Sequence, residues 1–206
     1  MTTQNKLLIQ CVVDNCATMK GEKITKLADA LSKFGARATA APAIEYSLVV
    51  FDALQAKTRK NFTGAEPPDS LSAGGLSFLN KALGLALNTL EARIAEVRAS
   101  GAELFKPWLI LLTDGKNVGD MSGAVNRLNG MLAAGRLTYF PFQLGDNDMD
   151  DSLSGLLKIR RPLSIIGNRY AELADWIFNT AKARVDTPIS QAFSLDPKSL
   201  EGWVKR

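Results

Sequence analysis

Two stretches of the chain share one pattern. Leu7, Leu8, Ile9, Gln10, Cys11, Val12 and Val13 are apolar but for the glutamine, end on Asp14 and pass straight into the polar turn 15–21. Trp108, Leu109, Ile110, Leu111 and Leu112 are apolar throughout and end on Thr113-Asp114-Gly115. Near-continuous apolar runs of this length, bounded by turn residues, suit strands buried on both faces of a parallel sheet. In an open α/β sheet, chemistry sits where such strands end, so these two ends are expected to meet.

The rest of the pattern alternates around them. Ile24, Leu27, Ala28, Leu31 and Phe34 repeat at helical spacing, predicting a helix over 21–35 with Gly35 placed to end it. A second strand is predicted over 44–51, a tight turn at Asp52-Ala53, and an antiparallel edge strand over 54–62 whose Lys57, Arg59 and Lys60 would blunt an exposed edge. After a Pro- and Gly-broken loop over 63–75, Leu79, Leu83, Leu87, Leu90, Ile94 and Val97 make the apolar stripe of a long helix, 77–100. Beyond the 108–112 strand come a helix over 122–134, a strand over 137–145, a short helix over 152–158, a strand over 162–166 and a helix over 171–184. Pro141 is awkward inside a central strand and suggests a bulge or a near-edge position. This order predicts an α/β three-layer sandwich: a doubly wound, mostly parallel sheet of six strands with one antiparallel edge. Residues 1–185 form the domain, and 186–206 a partly irregular tail whose Phe193 and Trp203 pack on the body or serve a partner.

Composition narrows the function. A chain of 206 residues with 46% hydrophobic and 22% charged residues can bury one substantial core. The net charge of +4 is mild and its cations are scattered, so no nucleic-acid partner is expected. The two cysteines, Cys11 and Cys16, match no zinc-ligand spacing and make a poor disulfide pair, which predicts free buried thiols. No apolar run is long enough for a signal peptide or a membrane span, so a cytoplasmic protein with no membrane partner is expected. There is no histidine, which removes histidine-dependent hydrolases and most zinc enzymes.

Several motifs, in order, resemble the von Willebrand factor type A (vWA) family, in particular small stand-alone bacterial members of the kind found with tellurite-resistance systems. The family's strand ending in Asp-x-Ser-x-Ser resembles Asp14-Asn15-Cys16-Ala17-Thr18, followed by Met19-Lys20-Gly21. Val49-Val50-Phe51-Asp52 looks like the end of its second strand, Gly74-Gly75-Leu76 like its Gly-Gly-Thr, and Leu112-Thr113-Asp114-Gly115 like its Leu-Thr-Asp-Gly. Gly145-Asp146 and the Trp176 helix complete the likeness, which covers residues 6–184.

In that family a hard divalent ion, usually magnesium, sits on top of the sheet and bridges to a partner's carboxylate; such ions demand oxygen ligands. The resemblance carries over Asp14, Thr18 and Asp114 as metal ligands. Cys16 replaces a hydroxyl with a soft thiol, and Leu76 puts an apolar group where a threonine would bring oxygen. Ser77, one residue on, is expected to cap the long helix. The resemblance thus implies a degenerate adhesion site, with no cofactor or a weakly bound magnesium ion, and a partner face including Asn15, Lys20, Ser77 and Asp146. The implied function is a non-enzymatic adaptor in a bacterial stress-response system, partnered by another protein such as a kinase, phosphatase or ATPase. Two alternatives remain. One is a metal-dependent vWA adaptor with a residual divalent-ion site. The other is a haloacid-dehalogenase-like phosphatase, whose Asp-x-Asp-x-Thr resembles Asp14, Cys16 and Thr18, with Thr113 as its strand-end hydroxyl.

Overall fold

The first strand, β1 (Leu7–Asp14), is buried at every one of its eight residues, and the sheet is built outward from it. In the computed structural model, which describes residues 5–51, 56–63, 71, 73–145 and 149–205, β1 is followed by α1 (Glu22–Thr39), β2 (Ile44–Phe51), β3 (Ala56–Lys60), α2 (Leu79–Ala99) and β4 (Trp108–Thr113). Then come α3 (Ser122–Ala133), β5 (Thr138–Leu144), α4 (Ser154–Ile159), β6 (Leu163–Ile165), α5 (Tyr170–Asp186) and β7 (Val204–Lys205). The strand order is β3-β2-β1-β4-β5-β6-β7, with β3 and β7 antiparallel at the two edges and the five inner strands parallel.

Period-2 alternation divides the core into two layers. Leu7, Ile9, Cys11 and Val13 of β1 face α1 and α5, while Leu8 and Val12 face α2, α3 and α4. The α/β sandwich is therefore as the pattern predicts. Its sheet has seven strands rather than six, because the C-terminal segment returns to pair Val204 with Ile165. That pairing is anchored by Trp203, which is buried, stacks on Phe142 with ring centroids 6.2 Å apart and lies beside Trp176. Phe193 is only partly buried against the same core. Pro141 sits in β5 opposite Leu111 of β4, and pairing with β6 begins only at Phe142. The missing N–H thus falls where β5 has a strand neighbour on one side alone.

Gly35 does not end α1. The helix continues to Thr39, and Gly35 is buried within it against β2. A Cβ placed there would stand 2.1 Å from Tyr46 Oη, so the missing side chain is what lets helix and sheet approach. The turn expected at Asp52-Ala53 and the start of the third strand at Leu54 lie outside the described residues, as does most of the 63–75 loop. Among the described residues, no helix is long and apolar enough to cross a membrane.

Gly35→Ala should lower stability by about 1–3 kcal/mol through overpacking, outweighing the gain of about 1 kcal/mol in helix propensity. Urea unfolding checks this, and adding Tyr46→Phe, which removes the clashing oxygen, should recover most of the loss. Trp203→Ala should cost about 3–5 kcal/mol; an unchanged urea midpoint would mean that the C-terminal strand contributes nothing to the fold.

Candidate functional site

β1 and β4 lie side by side in parallel register from Ile9 opposite Trp108 to Val13 opposite Leu112. Chain order runs outward from this pair in both directions, which makes it the switch point where an open α/β sheet leaves a crevice at its carboxyl ends. Asp14 and Asp114 stand at those ends, and both are fully buried. The two strand ends that the sequence singles out do meet.

Hydrogen bonds hold each carboxylate. The Cys16 backbone N–H donates to Asp14 Oδ1 at 2.9 Å. Asp14 Oδ2 accepts from the Thr113 hydroxyl at 3.2 Å and the Ser77 hydroxyl at 3.5 Å. Asp114 Oδ1 accepts from the Lys116 backbone N–H at 3.2 Å. Asp114 Oδ2 accepts a close bond from the Thr18 hydroxyl and faces Cys16 Sγ at 3.7 Å. Cys16 Sγ is also 2.9 Å from Thr18 Oγ1.

The surrounding loops are sewn together by backbone bonds: Gly74 N–H to Asn15 O at 2.8 Å, Ala17 N–H to Gly75 O at 2.9 Å and Val118 N–H to Ser77 O at 2.7 Å. Gly75 has φ of 73°, a conformation that favours glycine at that turn. Asn117 is buried and acts as a hub: its Oδ1 accepts from the first amide of α2, Leu79 N–H, at 3.2 Å, and its Nδ2 donates to Ser152 Oγ at 3.1 Å.

Burial pushes the Asp14 carboxyl up to about 7, and the neighbouring negative charge of Asp114 adds to it. The Cys16 thiol is pushed up to about 12, chiefly by burial and then by the charge of Asp14, and Cys11 to about 12 by burial alone. Among the described residues, no lysine or arginine forms a salt bridge with either carboxylate. Two unit charges less than 5 Å apart at an effective dielectric constant near 20 repel by roughly 3–4 kcal/mol. Protonation of Asp14 or a neighbouring cation relieves that repulsion.

The structure changes the loop that follows Gly75. Leu76 does not fill the site: it is 58% exposed and points away. Ser77 is not a helix cap either, since the N-cap of α2 is Phe78; the serine hydroxyl turns inward to Asp14. Of the residues expected on a partner face, Lys20 is exposed, Asn15 and Ser77 are buried supports, and Asp146 lies outside the described residues. Thr18 is exposed and forms the mouth of the site. Sequence reasoning missed the inward hydroxyl of Ser77 and the hub role of Asn117. Position alone marked Asn117, three residues past Asp114 in the loop after a buried strand.

One ligand atom each from Asp14, Cys16 and Asp114 lie within 4.8 Å of one another. Two ligands of one divalent ion, each about 2.0–2.3 Å from it, stand at most about 4.5 Å apart. Two carboxylates, a thiol and the adjacent Thr18 and Ser77 hydroxyls supply the chemistry of a divalent-cation site, and donors within 4.8 Å of one another need to close by only a few tenths of an ångström to share one ion.

No protein-family model and no curated protein matches the sequence. Solved structures do match in fold. A von Willebrand factor type A protein from Catenulispora acidiphila superposes with TM-score 0.57 at 17% identity, over 86% of this chain and 43% of that one. The manganese-loaded TRAP protein of Plasmodium vivax gives 0.54 at 17% identity, over 76% and 64%. The SpRpn10 VWA domain gives 0.58 at 10% identity, over 92% and 100%. The fold is vWA-like. This chain thus spans less than half of the first of these proteins and under two thirds of the second.

The raised Asp14 carboxyl fixes a sign for the pH dependence. Its folded value, about 7, lies above its ordinary value of 3.8, so the folded state binds this proton more tightly than the unfolded chain does. The group's contribution to stability is therefore full below pH 4, is lost as pH rises towards 7, and is flat above. Asp14→Asn should remove that slope and make the metal-free protein relatively more stable at pH 8 than at pH 5. Denaturant midpoints of both proteins at the two pH values check it; parallel profiles would contradict it.

Proposed function

We infer that this chain is a non-enzymatic protein–protein interaction domain of vWA type that meets its partner with the carboxyl-end face of the sheet. One observation carries the reading. Among the described residues, the exposed large hydrophobic side chains are Leu76 (58%), Val118 (39%) and Ile166 (37%), and all three belong to segments at that end. Leu76 and Val118 lie on the two loops joined by the Val118–Ser77 backbone bond, beside the buried carboxylates. Scattered apolar exposure needs no explanation, but two apolar residues on bonded loops beside a polar recess suit an interaction site.

Chemistry at Asp14 fits poorly with the phosphatase alternative. A carboxylate nucleophile needs an open line to its substrate, whereas Asp14 is fully buried and hydrogen-bonded at both oxygens. The same recess suits a residual divalent-ion site under the partner face, a reading supported by a manganese-loaded protein among the neighbours in fold. An adaptor role in the cytoplasm of a stress-response system, with a kinase, phosphatase or ATPase as partner, extends this reading along the sequence resemblance.

The test is a partner isolated by cross-linking in cells, identified, and titrated against purified chain. Leu76→Ser/Val118→Ser should weaken binding by about tenfold or more, the scale of truncating contact anchors, with an unchanged unfolding midpoint. Lys106→Ser/Arg136→Ser, at the opposite end of the sheet, should leave binding as it is. The reverse pattern would move the partner to the other end.

A further inference from the structure

We propose that the Asp14–Cys16–Asp114 cluster takes a thiophilic divalent cation of the zinc and cobalt class, with Cys16 as a thiolate ligand, rather than magnesium. The proposal rests on the reading of this recess as an ion site and specifies which ion the residues of this chain select.

Donor chemistry decides the class. Magnesium demands near-octahedral oxygen coordination, and here a sulfur is one of the three clustered donors. Cys16 Sγ is 3.7 Å from Asp114 Oδ2 and belongs to the group whose ligand atoms lie within 4.8 Å of one another. In a tetrahedral site with Zn–S of about 2.3 Å and Zn–O of about 2.1 Å, the sulfur–oxygen edge is about 3.6 Å. Sulfur and carboxylate oxygen already stand at that separation. Three protein ligands with a fourth position open is also a common arrangement for zinc sites that exchange a ligand. Soft thiolate favours zinc and cobalt over hard ions.

The supports around the donors fit this assignment. Ligating carboxylates are usually held by hydrogen bonds of their own, and here Thr113, Ser77 and the Cys16 and Lys116 amides hold Asp14 and Asp114. Leu76 points to solvent and puts no apolar group among the donors, and exposed Thr18 marks the way in. As the sulfur–metal bond forms, the thiol proton leaves to solvent, so the step is a proton-for-metal exchange with no redox change. Cys11, buried in the sheet interior on the α1 and α5 side, serves as an internal control.

Cobalt(II) titration of the full chain, followed by zinc competition, tests the proposal. The wild-type protein should show a near-ultraviolet thiolate-to-cobalt charge-transfer band that zinc abolishes stoichiometrically. Cys16→Ser should lose the band and bind zinc about tenfold or more weakly, narrowing the preference for zinc over magnesium. Asp114→Asn should also weaken zinc, and Cys11→Ala should keep the band. Circular dichroism of each variant confirms that it folds. Absence of the band in the wild-type protein, or zinc affinity unchanged by Cys16→Ser, overturns the proposal, as does a band that follows Cys11. The Leu76→Ser/Val118→Ser protein should bind cobalt normally, so failure of the partner reading and failure of the metal reading give different results.

Discussion

The enforced proximity of two buried carboxylates is the constraint on which the top of this molecule depends. Asp14 and Asp114 end adjacent parallel strands whose apolar sides are closed by helices on both faces. Neither can turn to water without pulling its strand out of register, because moving a strand by one residue sends every side chain to the opposite face. The charge problem therefore has to be solved where it stands. Part of the solution is visible in the donors around each carboxylate, drawn from the turn after β1, the loop before α2 and the loop after β4. Hydrogen bonds to carboxylates are worth more than neutral ones, and they orient the oxygens, but they do not cancel two charges.

That same need explains why the loops are tied to one another rather than hanging from the sheet. Asn15, Ala17, Gly74, Gly75, Ser77 and Val118 exchange backbone bonds, and Asn117 links the start of α2 to Ser152. A buried polar network is stabilising only when its members are satisfied together. Each stitch fixes the position of a donor that another loop's carboxylate uses.

The sheet was legible where burial is two-sided. The runs 7–13 and 108–112 admit no reading as amphipathic surface elements, and their aspartate endings placed the site. Other features turned on contacts that pattern cannot carry. Gly35 has the look of a helix stop, yet its role is set by Tyr46 on another element, and only the three-dimensional approach distinguishes the two. The strand Val204–Lys205 is too short to show alternation; it exists because Trp203 finds a place beside Phe142 and Trp176. Which of Leu76 and Ser77 faces the carboxylates is not legible in the sequence, because a loop has no period. Which of two neighbours faces inward follows from the backbone bonds at Ala17 and Val118.

The Leu76–Ser77 pair links the site to the surface. Ser77 is buried and Leu76 is exposed, as successive side chains in an extended segment point to opposite sides. Turning the Ser77 hydroxyl onto Asp14 therefore displays Leu76, and the Val118–Ser77 backbone bond sets Val118 beside it. An ion at the carboxylates would act on the oxygen that Ser77 grips, and a partner at Leu76 would act on the same short stretch of loop. Any difference in ion affinity between free and partner-bound states must then appear equally as a difference in partner affinity between ion-free and ion-bound states, because coupling between two binding events is reciprocal. The stretch that looks eroded as a sequence motif is a compact arrangement in space: an inward oxygen, an outward apolar side chain and a carboxylate pair, held on one short frame.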